Sequence, residues 1–545
     1  MNAILILLFG MSWLIFAYFW YGNIIKRKLN LSNDEIATPA VRIHDQKDYV
    51  PTKTPILFGH HFSSIAGAGP IIGPIIAFAF FGWLPAILWI LLGSVFIGAV
   101  QDYTTLMVSV RNNGISIVEI ANKVISQNAR NLFGIFVWLT LTLLQTVFID
   151  LTADTFVEMP EIVLPSIGLL PIAILFGYFV YKIGTNNAIS TFIALLGLFV
   201  LIIIGDLTPI KASYDFWLIF LLVYCFLAAT LPVWILLQPR DYLSMYLLIA
   251  GIVLGILGLL FSSPVINAPM FLDFNSKKGP LFPILFITIA CGAISGFHSL
   301  VASGTSAKQL NKEHNGKRVA FGGMLLEALL ALIVVLLVSS ILSWNSNPSL
   351  NSEEFNFQFL FSKNPNIAFG TALGKAVTSL GIPLQIGIAF GILMLNSFIL
   401  TTLDTTTRIN RYLIQETLGI KYGKIWNNKY FAAASSIIIA YILCKLHGYE
   451  KLWLIFGASN QLIGTLALFV LTAYFCGVKA PKWYTLIPAI LMLIITESAL
   501  IYQLFYEFLP KSDYVLSAIC GLLIFLGFLI ALETFGKVFK LNKEK

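Results

Sequence analysis

Long apolar stretches, separated by short polar segments, run along the whole chain. A helix that crosses a membrane needs about 20 apolar residues, and fifteen stretches approach or exceed that length. The chain is therefore predicted to be an all-α polytopic membrane protein with about 15 transmembrane helices. The predicted spans are residues 3–22, 56–81, 83–109, 132–157, 167–182, 188–206, 215–237, 241–262, 281–307, 319–343, 381–403, 430–446, 452–475, 484–505 and 514–536.

The second stretch, residues 56–82, is apolar, but its middle is unsuited to a continuous helix. Pro70 and Pro74 lack a backbone N–H, and the neighbouring glycines weaken a helix. An unpaired peptide group costs free energy in hydrocarbon, so a broken backbone persists only where it is buried or lines a wet cavity. Discontinuous helices of this kind hold substrates and coupling ions in secondary transporters. The alternative is a kinked structural helix whose small residues allow close packing.

A helix that restarts at Pro70 fits the preference of proline for the first helical position. Its free N–H groups carry a partial positive charge, which favours an anionic group of a substrate. The polar and small residues beside this break, together with two serines of a later glycine-rich span, form the predicted substrate-binding set. The set is His60, His61, Ser63, Ser64, Gly67, Gly69, Gly73, Ser295 and Ser299.

Composition and charge support a membrane protein and add an orientation. Hydrophobic residues make up 58% of the chain and charged residues 11%, whereas soluble domains carry about 25% charged residues. If Met1 is outside, most of the 34 Lys and Arg residues fall in cytoplasmic loops, as the positive-inside rule requires. We therefore expect an external N-terminus and a cytoplasmic C-terminus. The net charge of +8 then reflects these loops and does not indicate binding of nucleic acid.

The order of the spans suggests an internal repeat. Residues 56–206 and residues 215–403 hold five predicted spans each. Because five is odd, two such units in series have opposite orientations, and the second unit also opens with an interrupted stretch, at Pro232. Interrupted spans at matching positions of two halves indicate a transporter binding site. Within a single domain of residues 1–545, helices 3–22 and 430–536 are then additions to the core.

Ionisable residues inside a membrane are costly and usually line a pathway. His61, His298 and Glu327 lie within predicted spans and are the candidates for proton coupling. Histidine titrates near pH 6.5, and burial favours the protonated form of a carboxylic acid. The alternatives are a hydrogen bond from each histidine to a backbone carbonyl and a structural ion pair of Glu327.

A further set of charged residues is expected to be structural or to act in gating, with Asp404 pairing Arg408 one helical turn away. This set is Asp102, Arg240, Asp241, Asp404 and Arg408. Sodium coupling is an open alternative, because hydroxyl oxygens suit hard cations, although such hydroxyls more often bond back onto their own helix. The hydroxyls concerned are Ser295, Ser299, Ser303, Thr305 and Ser306.

The residues give no sign of a bound cofactor or a metal site. The five cysteines show no CxxC spacing, and the chain contains no HExxH motif, so neither a disulfide framework nor a zinc site is predicted. A membrane-embedded enzyme would need a catalytic constellation, and no known spacing joins the available residues.

Several long runs resemble the carbon starvation protein A (CstA) family, in order and over nearly the whole chain. They are GHHFSSIAGAGPIIGP (59–74), GAVQD (98–102), QPRDYL (238–243), ITIACGAISGFHSLVASGTSAKQL (287–310), TTLDTTTRINRYL (401–413) and LWLIFGASNQL (452–462). The resemblance implies an inner-membrane transporter linked to nutrient scarcity, for peptide uptake or, in some members, proton-driven pyruvate uptake. It also implies a LeuT/APC-like core of two inverted five-helix repeats with discontinuous helices.

Together these observations predict a secondary active importer of short peptides or pyruvate in the cytoplasmic membrane of a bacterium. The coupling ion is expected to be the proton, with sodium as the alternative. The expected partners are the substrate, the coupling ion and the lipid bilayer. A nutrient sensor that does not transport remains a further alternative.

Overall fold

The computed structural model describes residues 1–32, 35–45, 48–231, 237–344, 355–415 and 424–543, and these residues are almost entirely helical. The helices up to residue 262 are α1 (Ala3–Phe19), α2 (Tyr21–Lys28), α3 (Pro39–Ile43), α4 (Thr54–Ile65), α5 (Gly69–Phe81), α6 (Trp83–Gly93), α7 (Ala99–Arg111), α8 (Ile117–Val124), α9 (Gln127–Glu158), α10 (Val163–Gly177), α11 (Asn187–Leu207), α12 (Tyr214–Thr230) and α13 (Leu237–Ser262).

A two-stranded hairpin follows, made of β1 (Asn275–Ser276) and β2 (Gly279–Pro280). The remaining helices are α14 (Leu281–Thr288), α15 (Gly296–Gly304), α16 (Gly322–Ile341), α17 (Phe357–Lys363), α18 (Pro365–Val377), α19 (Leu384–Ile414), α20 (Lys424–Asn427), α21 (Lys429–Leu446), α22 (Tyr449–Gly477), α23 (Trp483–Tyr502) and α24 (Tyr514–Lys543).

The prediction of a polytopic helical membrane protein is confirmed, but the count of 15 spans is not. In the described ranges, 12 helices are long and apolar enough to cross a membrane, and the bent pair α4–α5 raises the number to 13. Two predicted spans fall short of this test for physical reasons. Helix α12 has only 17 residues, and the span predicted at 281–307 is divided into the short helices α14 and α15.

The predicted break in the second stretch is confirmed. Helix α4 ends at Ile65, α5 begins at Gly69, and the two helices are bent by 42°. Pro70 occupies the first turn of α5, where its missing N–H costs nothing. Pro74 lies inside α5, which continues through it.

A second break lies between Thr288 and Gly296, and the sequence analysis did not place one there. The interruption that it did place, at Pro232, lies outside the described residues. The two described breaks are close in space, because a Cβ atom added to Gly292 would lie 3.8 Å from the Cα atom of Pro70.

The helices from α4 to α13 and from α14 to α22 pack in matching ways. Helix α5 packs on α16, and α15 packs on α7. Helix α9 packs on α21 and α22, while α19 packs on α12 and α13. Helix α7 also contacts α22, as α16 contacts α13. The two sets of contacts are related by an exchange of helices. In this exchange α4–α5 corresponds to α14–α15, α6–α7 to α16, α9 to α19, α12 to α21, and α13 to α22. Helices α10 and α11 form a hairpin between α9 and α12.

Candidate functional site

The two broken segments approach each other through glycine. A Cβ atom added to Gly73 would lie 2.5 Å from the carbonyl oxygen of Thr288, and one added to Gly69 would lie 2.4 Å from Cys291 Sγ. Only a residue without a side chain permits such close approach to a backbone, as at Gly73, or to a side chain, as at Gly69. These two predicted binding residues therefore allow the broken segments to pack closely. Among the described residues, no side chain caps the first turn of α5 with a hydrogen bond.

We expect Gly73→Ala to destabilise the protein by about 1–3 kcal/mol, because the added methyl group must displace the backbone of Thr288. Gly521→Ala in α24 is the matched control, since nothing lies within 4 Å of the added Cβ atom there. Alanine in an open helix position is expected to stabilise by about 0.5–1 kcal/mol. Thermal unfolding in detergent measures both, and equal melting temperatures for the two variants would contradict the close approach.

Three side-chain amides form hydrogen bonds with peptide groups that lack helical partners around the second break. Asn460 accepts from the backbone N–H of Phe297 at 3.0 Å and donates to Ser295 Oγ at 3.0 Å. Gln101 donates to the carbonyl of Ser295 at 2.7 Å, and Gln461 donates to that of Phe286 at 2.7 Å. Buried polar backbone needs such partners, so these amides fix the break in place. These three amides are not among the predicted site residues, although Asn460 and Gln461 are polar residues inside a predicted apolar span.

The imidazole of His298 lies between two carboxylates, in the first turn of α15 directly after the second break. His298 Nδ1 is 3.0 Å from Asp102 Oδ2, and His298 Nε2 is 3.2 Å from Glu327 Oε2. All three side chains are fully buried. Asp102 was expected to be structural or to act in gating, and the structure places it with two of the three predicted proton carriers, His298 and Glu327.

This triad can hold a variable number of protons. With an imidazolium and two carboxylates its net charge is −1, and one further proton makes it neutral. A net charge is costly in a buried site, so the arrangement is suited to bind and release one proton.

His61 lies beside this triad but does not contact it. Its Nδ1 is 2.8 Å from Ser306 Oγ, and no described residue hydrogen-bonds to its Nε2. Its ring packs on Gly323, one turn from Glu327 along α16.

Four of the predicted hydroxyl ligands bond back onto their own helices. Ser63 and Ser64 donate to the carbonyl of His60 at 3.2 and 2.7 Å. Ser299 donates to the carbonyl of Gly296 at 2.6 Å, and Ser303 donates to that of Ser299 at 2.6 Å. Each hydroxyl oxygen keeps acceptor capacity. Within the described part of the chain, no group of three His, Cys, Asp or Glu side chains is arranged to hold a metal ion.

A second buried cluster joins α13 to α19. Arg240 pairs with Asp404 and contacts the Tyr224 hydroxyl, and Arg240 Nη2 lies 3.3 Å from Asp241 Oδ1. His60 Nδ1 is 3.7 Å from Asp241 Oδ2, so this predicted substrate ligand belongs to the cluster.

The expected partner of Asp404 is corrected by these contacts. Arg408 instead donates to the carbonyls of Ala228 and Leu231, at 2.7 and 2.8 Å. The last turn of α12 offers unpaired carbonyls, which draw the guanidinium of Arg408 away from Asp404.

The first break faces α9 and α19. A Cβ atom added to Gly67 would lie 2.8 Å from Thr402 Oγ1 and 3.5 Å from the ring of Phe148. Thr402 Oγ1 is buried without a hydrogen-bond partner among the described residues, and so is Gln145 Oε1 on α9. The sequence analysis did not select Thr402 or Gln145. In this conformation the residues beside both breaks are closed off from solvent.

The comparisons with known proteins agree with this geometry. Residues 2–358 and 350–499 match the family model described as carbon starvation protein CstA. The peptide transporter CstA of Bacillus subtilis is 35% identical over 511 residues, which cover 86% of this chain and 85% of that protein. The pyruvate/proton symporter BtsT of Escherichia coli is 31% identical over 592 residues, which cover 92% of this chain and 82% of that protein.

A solved structure shares the fold. The crystal structure of a manganese transporter from Eremococcus coleocola matches with a TM-score of 0.52 at 12% identity, covering 91% of this chain and 99% of that one. The predicted LeuT/APC-like fold class is thereby confirmed.

Proposed function

The chain belongs to the carbon starvation protein CstA family of membrane transporters, and we propose that it imports short peptides or pyruvate together with protons. The observation that carries this proposal is the meeting of two broken helices beside the buried triad of Asp102, His298 and Glu327. Sodium coupling of the same transport is the alternative.

The substrate carboxylate binds at the uncapped first turn of α5 in this proposal. Peptide N–H groups at a helix N-terminus attract anions, and no side chain of the described residues caps this turn with a hydrogen bond. The corresponding turn of α15 is already served by Asn460. Thr402 and Gln145 then extend the proposed binding set given by the sequence. Those residues are His60, His61, Ser63, Ser64, Gly67, Gly69, Gly73, Ser295 and Ser299.

The triad carries the coupled proton in this proposal. Glu327 takes the proton that neutralises the site, and His298 connects Glu327 to Asp102. His61 lies on the proposed path of the proton along α16. Because a neutral triad carries no net buried charge, protonation favours movement of the helices around it. The helices can therefore move when both the proton and the substrate are bound, and the proton is then released on the other side of the membrane.

We further propose that the inverted repeats are residues 54–262 and 281–477, with α10 and α11 as an insertion. The matching helix contacts support this division better than the equal division into 56–206 and 215–403. Rocking of one repeat against the other then alternates access to the breaks. The protein works in the cytoplasmic membrane with Met1 outside, in cells that lack carbon sources.

Uptake by purified protein in liposomes tests the function. We expect accumulation of a radiolabelled dipeptide or of pyruvate when the pH outside is lower, and loss of accumulation with a protonophore. Accumulation driven by a sodium gradient at equal pH would support the alternative. Uptake that ignores both gradients would contradict coupled transport.

A further inference from the structure

We propose that Asp150 closes the external side of the transport path, as the symmetry counterpart of Asp404 on the cytoplasmic side. The inference rests on the proposed function for the meaning of the two sides. Nothing in the sequence motifs singled out Asp150. Hydrogen bonds connect the two proposed repeats at opposite ends.

The cytoplasmic latch consists of Asp404, Arg240 and Tyr224. Asp404 lies on α19, which belongs to the second repeat. Arg240, in the first turn of α13, and Tyr224, on α12, belong to the first repeat, and both contact the carboxylate of Asp404. Asp404 and Arg240 are fully buried. The latch therefore fastens one repeat to the other in a region without solvent, where an ion pair is least screened.

The external latch consists of Asp150, Tyr449 and Tyr214. Asp150 lies on α9, in the first repeat, and its Oδ2 accepts from the backbone N–H of Tyr449 at 2.5 Å. Tyr449 is the first residue of α22, in the second repeat. The Tyr214 hydroxyl donates to Asp150 Oδ1. A carboxylate at a helix N-terminus is stabilised by the unpaired N–H groups there, so this contact also joins the repeats.

The two latches correspond under the exchange of helices described above. Helix α9 corresponds to α19, and α22 corresponds to α13. Asp150 lies about two turns before the end of α9, and Asp404 lies about three turns before the end of α19. In each latch the aspartate meets the start of the last helix of the opposite repeat. Because α9 and α19 run in opposite directions in the proposed topology, the latches lie on opposite sides of the membrane.

Both latches are formed in this closed conformation, so each change of access must break one and keep the other. Removing one latch should therefore bias the protein toward opening on that side. Cys291 is a native reporter, because its thiol lies at the meeting of the breaks and the residue is only 6% exposed.

The test uses a variant in which Cys291 is the only cysteine, made by replacing Cys225, Cys444, Cys476 and Cys520 with alanine. A membrane-impermeant maleimide is added to intact cells or to inverted vesicles. We expect Asp150→Asn to raise the labelling rate about tenfold from outside, and Asp404→Asn to raise it about tenfold from the cytoplasmic side, as loss of a charged hydrogen bond implies.

Two surface ion pairs supply matched controls. Asp215→Asn removes the partner of Lys445, whose Nζ lies 2.5 Å away, and Glu119→Gln removes that of Arg130, whose Nε lies 2.7 Å away. Both are expected to leave labelling unchanged on both sides. Tyr214→Phe and Tyr224→Phe weaken one latch each without changing charge, and they replace the aspartate variants if those fail to fold.

The proposal is overturned if Asp150→Asn and Asp404→Asn speed labelling from the same side, or if Asp150→Asn and Tyr214→Phe leave external labelling unchanged. Labelling does not depend on which solute is carried. Failure of uptake with opposite effects on labelling would therefore count against the proposed substrates and not against the latches.

Discussion

Glu327→Gln is expected to abolish proton-driven accumulation of substrate while leaving exchange of substrate across the membrane intact. The amide keeps the shape of the carboxyl group beside His298 but cannot take up the coupled proton. With one proton per substrate and no membrane potential, a gradient of one pH unit supports about tenfold accumulation, because it is worth about 1.4 kcal/mol. The variant should reach a ratio of about one.

Glu497→Gln is the matched control for this experiment. Glu497 lies on α23, outside the proposed repeats. It is also a buried carboxyl group, and in the part of the chain that the structure describes its two oxygens have no hydrogen-bond partner. We expect its loss to leave accumulation near the wild-type ratio. Accumulation by Glu327→Gln that still follows the pH gradient would contradict the role of the triad, and equal loss in both variants would indicate a general structural effect.

Arg240→Ala is expected to destabilise the protein by about 3–5 kcal/mol, because it leaves a buried carboxylate without its counter-ion. Among the described residues, Asp404 then keeps Tyr224 as its hydrogen-bond donor in a low-dielectric interior. Replacement of both partners by apolar residues, as in Arg240→Met with Asp404→Leu, should cost less than the single change, because no charge of that pair remains buried. Thermal unfolding in detergent measures these differences.

A surface ion pair provides the reference for this prediction. Arg130 and Glu119 pair at 2.7 Å near solvent, and such pairs contribute about 0–1 kcal/mol. Arg130→Ala should therefore unfold almost as the wild type does. An Arg240→Ala protein as stable as Arg130→Ala, or a double variant less stable than Arg240→Ala, would show that the buried pair is not a stabilising contact between the repeats.

The first break could be predicted from sequence because its causes are local. Pro70 and Gly67 disfavour a helix whatever surrounds them, and the structure breaks beside them. The second break depends on distant partners. Gly296 sits in a glycine-rich run that a helix can tolerate, and the amides of Asn460, Gln101 and Gln461 make the unwound form stable. Such contacts cannot be inferred from one stretch of sequence.

The candidate site shows the same division. His298 and Glu327 could be selected because a charge inside an apolar span is conspicuous. Their link to Asp102, 196 residues from His298 in sequence, follows only from packing. Proximity in sequence suggested Arg408 as the partner of Asp404, whereas the fold supplies Arg240. Asp150 was passed over because its partner is a backbone N–H, which no side-chain pattern reveals.

Protection of Cys291 by substrate tests the central proposal, that the substrate binds where the two broken helices meet. In the variant with Cys291 as its only cysteine, a dipeptide or pyruvate that saturates uptake should slow alkylation of the thiol, with half-protection at the concentration that half-saturates transport. Alkylation at an unchanged rate, in the presence of a solute that the same protein demonstrably carries, would place the docking point elsewhere.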